Sequence, residues 1–261
     1  MKVLFIGDIV GKPGREAVGL VLPSLKEKEN IEFVIANGEN SAGGFGITPN
    51  VAEEIFSFGV DTITLGNHTW DRKEVKEIID DPRIIRPANY PRDVPGHGYS
   101  IFITPNKIKL AVVCIMGRVY MQNLDCPFRV LDDIIDKISQ ETNNIIVDVH
   151  AEITSEKQSI GWFLDGKVSA VIGTHTHVMT ADERLLPLGT AYITDCGITG
   201  SFDSVIGIKK ELALKKFILQ MPVKFEIAEE NVVLQSVIID IDESTGKARS
   251  IRRHIEFLGN L

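Results

Sequence analysis

Cysteine is scarce in this chain of 261 residues, with only Cys114, Cys126 and Cys196, and none of them stands in a Cys-x-x-Cys spacing. That argues against a disulfide framework and against a thiolate zinc site. Long apolar runs are lacking too. None approaches the roughly 20 residues of a membrane span. The opening Met1-Lys2-Val3-Leu4-Phe5-Ile6-Gly7-Asp8 turns polar too soon for a signal peptide. The expectation is therefore a cytoplasmic protein with no membrane partner. Positive charge is also short: the formal net charge is −8. An extended nucleic-acid surface would need the opposite sign. A small phosphate substrate remains compatible, because bound divalent cations would reverse the field inside a pocket. Internal repeats, low-complexity tracts and linkers are absent, so residues 1–261 are expected to form a single domain.

Strand and helix signals alternate in the first half. Apolar runs at Lys2–Gly7, Ile31–Ala36 and Val60–Leu65 read as strands. Between them, a helix is predicted from about Pro13 to Glu29, kinked at Pro23, and another from Thr48-Pro49 to about Phe58. Asp71-Arg72-Lys73-Glu74 has the spacing of a capping box for a further helix. Residues 80–98 read as irregular. Strands are predicted around Tyr99–Thr104, Lys109–Ile115, Asn144–Val149 and Val168–Ile172, with helices around Val130–Gln140 and Ser155–Phe163. The last third is strand-rich, at Thr190–Thr194, Lys224–Ile227, Val232–Ile239 and Ala248–Ile255, with a short helix at Glu211–Ile218. The expected fold is α/β (α+β): two packed mixed sheets with helices outside.

Polar side chains of one chemical kind recur where these strands end. They are Asp8, the pair Glu39-Asn40, Asn67 in Gly66-Asn67-His68, His150, and His175-x-His177. Each cluster alone is an ordinary turn or cap. Together they are seven candidate ligands for divalent metal ions, and carboxyl ends of strands are where open α/β sheets bind ligands. Oxygen and imidazole donors suit Mn²⁺, Fe²⁺ or Zn²⁺. A two-metal centre needs one bridging carboxylate. Glu39 is the best candidate, being central and next to an amide ligand. His175 and His177 fall on one side of an extended segment, where they could serve one ion or two neighbouring ions.

The order Gly-Asp, Glu-Asn, Gly-Asn-His, His, Gly-x-His-x-His resembles the calcineurin-like metallophosphoesterases. The match is closest to their bacterial YmdB-like branch of cyclic-nucleotide phosphodiesterases. It extends over Asn40-Ser41-Ala42-Gly43-Gly44 and Asp195-Cys196-Gly197-Ile198-Thr199-Gly200. Most of that superfamily has Asp-x-His at the first motif and a bridging aspartate. Asp8-Ile9-Val10 and Glu39 depart from that pattern and fit the YmdB-like branch. The resemblance implies a four-layer sandwich and two divalent ions, iron or manganese ahead of zinc or magnesium. Asp8, Glu39, Asn40 and His177 would hold the first ion, and Glu39, Asn67, His150 and His175 the second. It also implies self-association into a homo-oligomer.

The chemistry so implied is hydrolysis of small cyclic nucleotides by a metal-bridging hydroxide, 2′,3′-cyclic ones first and 3′,5′-cyclic ones as the alternative. His68 is the expected general acid for the leaving alkoxide. Asp71 could orient it, although helix capping is the reading preferred from sequence. Gly43, Gly44 and Gly46 either offer backbone N–H groups to a phosphate or simply form a loop with positive φ. Phe45 could stack on a base, with core packing preferred. His97 and His254 read as surface residues, and Cys196 as packing. Two competing readings are a phosphomonoesterase of the same fold, such as a nucleotidase, and a regulatory RNA-associated protein whose metals brace the fold.

Overall fold

A computed structural model describes all 261 residues. In chain order the elements are β1 (Lys2–Ile6), β2 (Asp8–Ile9), α1 (Gly11–Glu29), β3 (Phe33–Asn37), α2 (Pro49–Ser57), β4 (Thr62–Thr64), β5 (Ile84–Ile85), β6 (Tyr99–Ile103) and β7 (Lys109–Met116). They continue as α3 (Pro127–Ile138), β8 (Ile145–His150), α4 (Thr154–Leu164), β9 (Ala170–Thr174), β10 (Arg184–Leu185), β11 (Ala191–Ile193), β12 (Ile198–Ser201), α5 (Lys210–Leu219), β13 (Val232–Ile241) and β14 (Ala248–Gly259). One sheet of eight strands runs β2-β12-β13-β1-β3-β4-β5, with β14 also paired to β13. The other, of six strands, runs β10-β11-β9-β8-β7-β6.

The layering follows from side-chain alternation along buried strands. Val3 and Phe5 of β1 point one way and meet Val112 and Cys114 of β7, Ile146 of β8 and Ile172 of β9 between the sheets. Leu4 and Ile6 point the other way, onto Val18, Val21 and Leu22 of α1 and Ile55 of α2. On the far side of the second sheet, Ile145, Val147 and Val149 of β8 pack against Leu131 and Ile135 of α3 and Ile160 of α4. Helix, sheet, sheet and helix thus form the four layers expected. No helix is long and apolar enough to cross a membrane.

This topology positions the site. β1, β3 and β4 are parallel neighbours, and so are β8 and β9. Parallel neighbours end on the same rim, so the residues that follow them lie side by side.

Several sequence expectations need correction. The first helix opens at Gly11, two residues ahead of Pro13, and ends at Glu29 as expected. Asp71 caps nothing: the turn over Lys73–Glu77 is a 3₁₀ helix with Arg72 at its N-cap and no side-chain capping bond. Lys224–Ile227 is no strand and keeps only an isolated bridge, Ile208 to Ile227. Met221, Pro222, Lys224 and Glu226 are exposed and Val223, Phe225 and Ile227 only half-buried, so little apolar surface holds this stretch in a sheet. Short strands β2, β5, β10 and β12 went unpredicted because two to four residues carry too little periodicity.

Candidate metal centre

All seven candidate ligands meet at the rim where the two sheets face each other. Asp8 follows β1. Glu39 and Asn40 form the turn after β3, set by Asn37, whose Oδ1 accepts the Glu39 N–H at 3.2 Å. Asn67 and His68 follow β4, His150 ends β8, and His175 and His177 follow β9. The Nε2 of His150 lies 2.8 Å from Glu39 Oε1, 2.9 Å from Asn67 Oδ1 and 3.1 Å from His175 Nδ1. The other flank holds Asp8 Oδ1, 3.5 Å from His177 Nε2, and Asn40 Nδ2, which lies 3.2 Å from the same nitrogen and donates to Glu39 Oε1 at 3.4 Å. Glu39 touches both flanks.

The three imidazoles share one orientation logic. Each commits one nitrogen to an oxygen acceptor and turns the other inward. His150 Nδ1 donates to Thr174 Oγ1 at 2.9 Å, because that hydroxyl gives its own proton to Asp148 Oδ1 at 2.7 Å. His175 Nε2 donates to Glu152 Oε2 at 2.9 Å, and His177 Nδ1 to the Ile206 carbonyl at 2.9 Å. The inward nitrogens of His150 and His177 then face the Glu39 and Asp8 carboxylates, and that of His175 faces His150 Nε2. Nitrogen and oxygen groups gathered in this way suit a cation, and outer partners of this kind are typical of metal-bound histidines. Asp8 Oδ1 supports the fit: it is fully buried and accepts no hydrogen bond. Glu39, His150 and His175 alone present ligand atoms within 4.8 Å of one another, a group able to hold a metal ion.

Charge at the centre agrees with that arrangement. Burial opposes ionisation of Asp8, yet His177, His150 and the His175 N–H hold its carboxyl well below the usual range. Glu39 is likewise lowered, burial being outweighed by His150. Burial would depress His150, but Glu39, Asp8 and Asp148 lift it to about 9. His175 is pushed down to about 3 by burial and by the charge of His150. Two buried carboxylates therefore stay ionised and draw positive charge to the point where the donors meet.

Local backbone geometry carries the same purpose. Asp8, Glu39 and His150 are completely buried, and Gly66 makes that closeness possible. A Cβ at Gly66 would lie 2.4 Å from His150 Nε2 and 2.5 Å from Glu39 Oε2. His175 and His177 adopt φ of 96° and 62°, so the segment is not extended as the sequence suggested. Two left-handed turns, rather than strand alternation, bring both rings to one side. Left-handed backbone costs about 1–3 kcal/mol for each non-glycine residue and persists only where the surroundings enforce it.

His68 sits beside the centre. Its N–H donates to Glu39 Oε2 at 2.9 Å, and its Nδ1 donates to Asp71 Oδ2 at 2.8 Å. Asp71 thus orients His68, the reading that capping had displaced. Phe45 is 39% exposed and stands edge-on to the His68 ring, with centroids 5.1 Å apart, so it is not a core residue. A cavity of about 120 Å³ opens over Glu39, Asn40, His68, His175 and His177, walled by Val10, Phe45, Ile206, Ile208 and Phe225. Gly44 lines it, but its N–H is committed to Asn40 O at 3.1 Å and is not free for a phosphate. Gly43, Gly44 and Gly46 all have positive φ, which favours the plain loop reading. Arg72, not anticipated, pins that loop by donating to Ala42 O and Phe45 O. Cys196 is buried packing, as read from sequence, and His97 bonds Asp80 O at the surface. His254 is only 17% exposed and its burial lowers it, so it is not solvated.

Asp148, Glu152 and Lys157 also escaped the sequence reading, and Asp195 stood out only as part of the family motif, with no role of its own. Their partners are remote in the chain, and no spacing pattern announces them.

A family model described as YmdB-like protein matches residues 4–254. A 2′,3′-cyclic-nucleotide 2′-phosphodiesterase of Bacillus subtilis is 48% identical over 254 residues, covering 97% of this chain and 96% of that protein. Among solved structures, a hypothetical protein from Thermus thermophilus superposes with a TM-score of 0.93 at 40% identity, covering 98% of this chain and 99% of that one. A structure described as a novel phosphatase, from Mycoplasma pneumoniae, gives 0.93 at 34% identity, covering 100% of this chain and 94% of that one.

Proposed function

The chain belongs to the YmdB-like protein family, and on that premise we propose that it is a metal-dependent phosphodiesterase acting on 2′,3′-cyclic nucleotides. The observation that carries the proposal is the convergence of seven oxygen and nitrogen donors, with His68 beside them and a cavity over them. The Bacillus subtilis relative, 48% identical, supports the choice of the 2′,3′-cyclic class over the 3′,5′-cyclic class.

Asp8, Asn40 and His177 would hold one cation, Asn67, His150 and His175 a second, and Glu39 would bridge them. The mixed oxygen and imidazole set, without thiolate, suits manganese or iron. When bound, such ions supply Lewis-acid activation of water and stabilise charge on the phosphoryl oxygens. The protein's own groups do the rest. Asp71 accepts the Nδ1–H of His68, and the imidazolium form so supported would give its Nε2 proton to the departing ribose oxygen. The Glu39 carboxylate fixes the His68 backbone through its N–H. Phe45, Ile206 and Phe225 give the sugar and base an apolar wall beyond the donors.

The test is turnover of 2′,3′-cyclic AMP, 3′,5′-cyclic AMP and an aryl phosphomonoester, each with Mn²⁺ and with EDTA. The expected result is Mn²⁺-dependent hydrolysis fastest on the 2′,3′-cyclic ester. In His68→Ala, kcat should fall by ~10²–10⁴-fold while Mn²⁺ binding is kept. Faster monoester turnover, or a fully active His68→Ala, contradicts the proposal.

A further inference from the structure

Asp195-Cys196-Gly197 lies next to the metal centre without contributing a ligand to it, and its aspartate makes a contact that the proposed function leaves unexplained. Asp195 and Lys157 form an ion pair, Nζ to Oδ2 at 2.7 Å, in which both side chains are 1% exposed. Taking two charges out of water is costly. A buried pair is often matched or bettered in stability by apolar residues of similar volume, so stability alone does not account for it. The contacts of the pair show what it grips. Lys157 Nζ, on α4, also donates to the Thr174 carbonyl at 2.6 Å. Asp195 Oδ2 accepts the Thr176 N–H at 3.1 Å and the Thr176 hydroxyl at 2.7 Å. Asp195 is itself fixed, since its Oδ1 accepts the Gly197 N–H at 2.9 Å and its own N–H donates to Thr180 Oγ1 at 2.9 Å. The Cys196 N–H donates to Gly173 O at 2.8 Å and ties this loop to the end of β9.

The gripped residues, Thr174 and Thr176, flank His175, and Thr176 also precedes His177. Those histidines carry the left-handed φ values of 96° and 62°, a geometry their own side chains disfavour. Thr176 between them makes no contact with the metal centre, and its backbone and hydroxyl both point to Asp195. Thr174 serves twice, giving its carbonyl to Lys157 and its hydroxyl oxygen to His150 Nδ1. One buried charge pair is thereby linked to all three candidate histidine ligands.

We propose that Lys157 and Asp195 act with Thr176 as a positioning latch that holds the strained His175-Thr176-His177 turn in its ligating shape. None of the three touches substrate or cation, and they act through the histidines. The inference rests on the metal reading above, so its test separates the two.

Mn²⁺ binding is measured by calorimetric titration, and the melting temperature of the cation-free protein is measured alongside. The variants are Thr176→Val, Thr176→Ser, Lys157→Met and Asp195→Asn. Thr176→Val removes the hydroxyl contact and keeps the charge pair. It should weaken Mn²⁺ binding by ~10–100-fold, the usual cost of losing a group that orients a ligand. Thr176→Ser restores the hydroxyl and should bind as the parent does. Lys157→Met and Asp195→Asn should weaken binding at least as much. Lower melting temperatures with undiminished Mn²⁺ affinity in all variants would overturn the latch and leave the metal centre standing. Absence of Mn²⁺ binding by the unaltered protein would overturn both. Should the charge variants fail to fold, the Thr176 pair decides alone: equal affinity in Val and Ser variants refutes the latch.

Discussion

His68 is held from two sides, by the Glu39 carboxylate at its backbone and by Asp71 at its ring. The Asp71 contact makes a prediction that helix capping would not. Asp71→Asn should lower kcat on the order of tenfold, a part of what general-acid help supplies, and leave thermal stability and Mn²⁺ binding unchanged. A loss of stability with kcat intact would return Asp71 to a capping role. Gly66 gives a second test at this scale. Its Cα approaches His150 and Glu39 so closely that one added methyl must displace a candidate ligand. Gly66→Ala should therefore fold, as judged by circular dichroism, yet retain little bound metal by elemental analysis. Full metal content in that variant would mean that His150 and Glu39 are not ligands. Neither consequence is visible in Gly66-Asn67-His68 as a string of letters, because both depend on what β8 and β3 bring alongside.

At the scale of elements, the sequence was most legible where a buried strand ends in a polar group. β1, β3, β4, β8 and β9 each appear as an apolar run stopped by Asp8, Glu39, Asn67, His150 or His175, and each was expected within a few residues of its place. Burial on both faces demands such a run, and a rim position ends it. Legibility failed where shape comes from contacts distant in sequence. The His175-to-His177 turn is left-handed because Asp195 and Lys157 enforce it, and no local propensity favours that. The same distinction applies to α2. Thr48-Pro49 marks its start correctly, but Thr48 makes no side-chain capping bond, so Pro49 at the first helical position carries the signal. Thr48→Ala should then change unfolding free energy in urea by less than about 0.5 kcal/mol, below the ~1 kcal/mol typical of a capping threonine. A loss of about 1–2 kcal/mol or more, as capping threonines can give, would show that the side chain caps in solution.

For the molecule as a whole, the two sheets have separate tasks at one rim. The eight-stranded sheet delivers Asp8, Glu39, Asn40 and Asn67, which are oxygen donors, and the six-stranded sheet delivers His150, His175 and His177, which are nitrogen donors. Each candidate ion draws on both sheets, so bound metal would tie them across their shared apolar core. The net charge of −8 sets the wider field, and the buried carboxylates concentrate it where cations are needed. The most direct test of the account is a crystal grown with Mn²⁺ and measured by anomalous scattering, with elemental analysis of the same protein. The account predicts two manganese ions per chain, both contacting Glu39, one reached by Asp8 and His177 and the other by His150 and His175. A single ion, or ions bound away from Glu39, would contradict it.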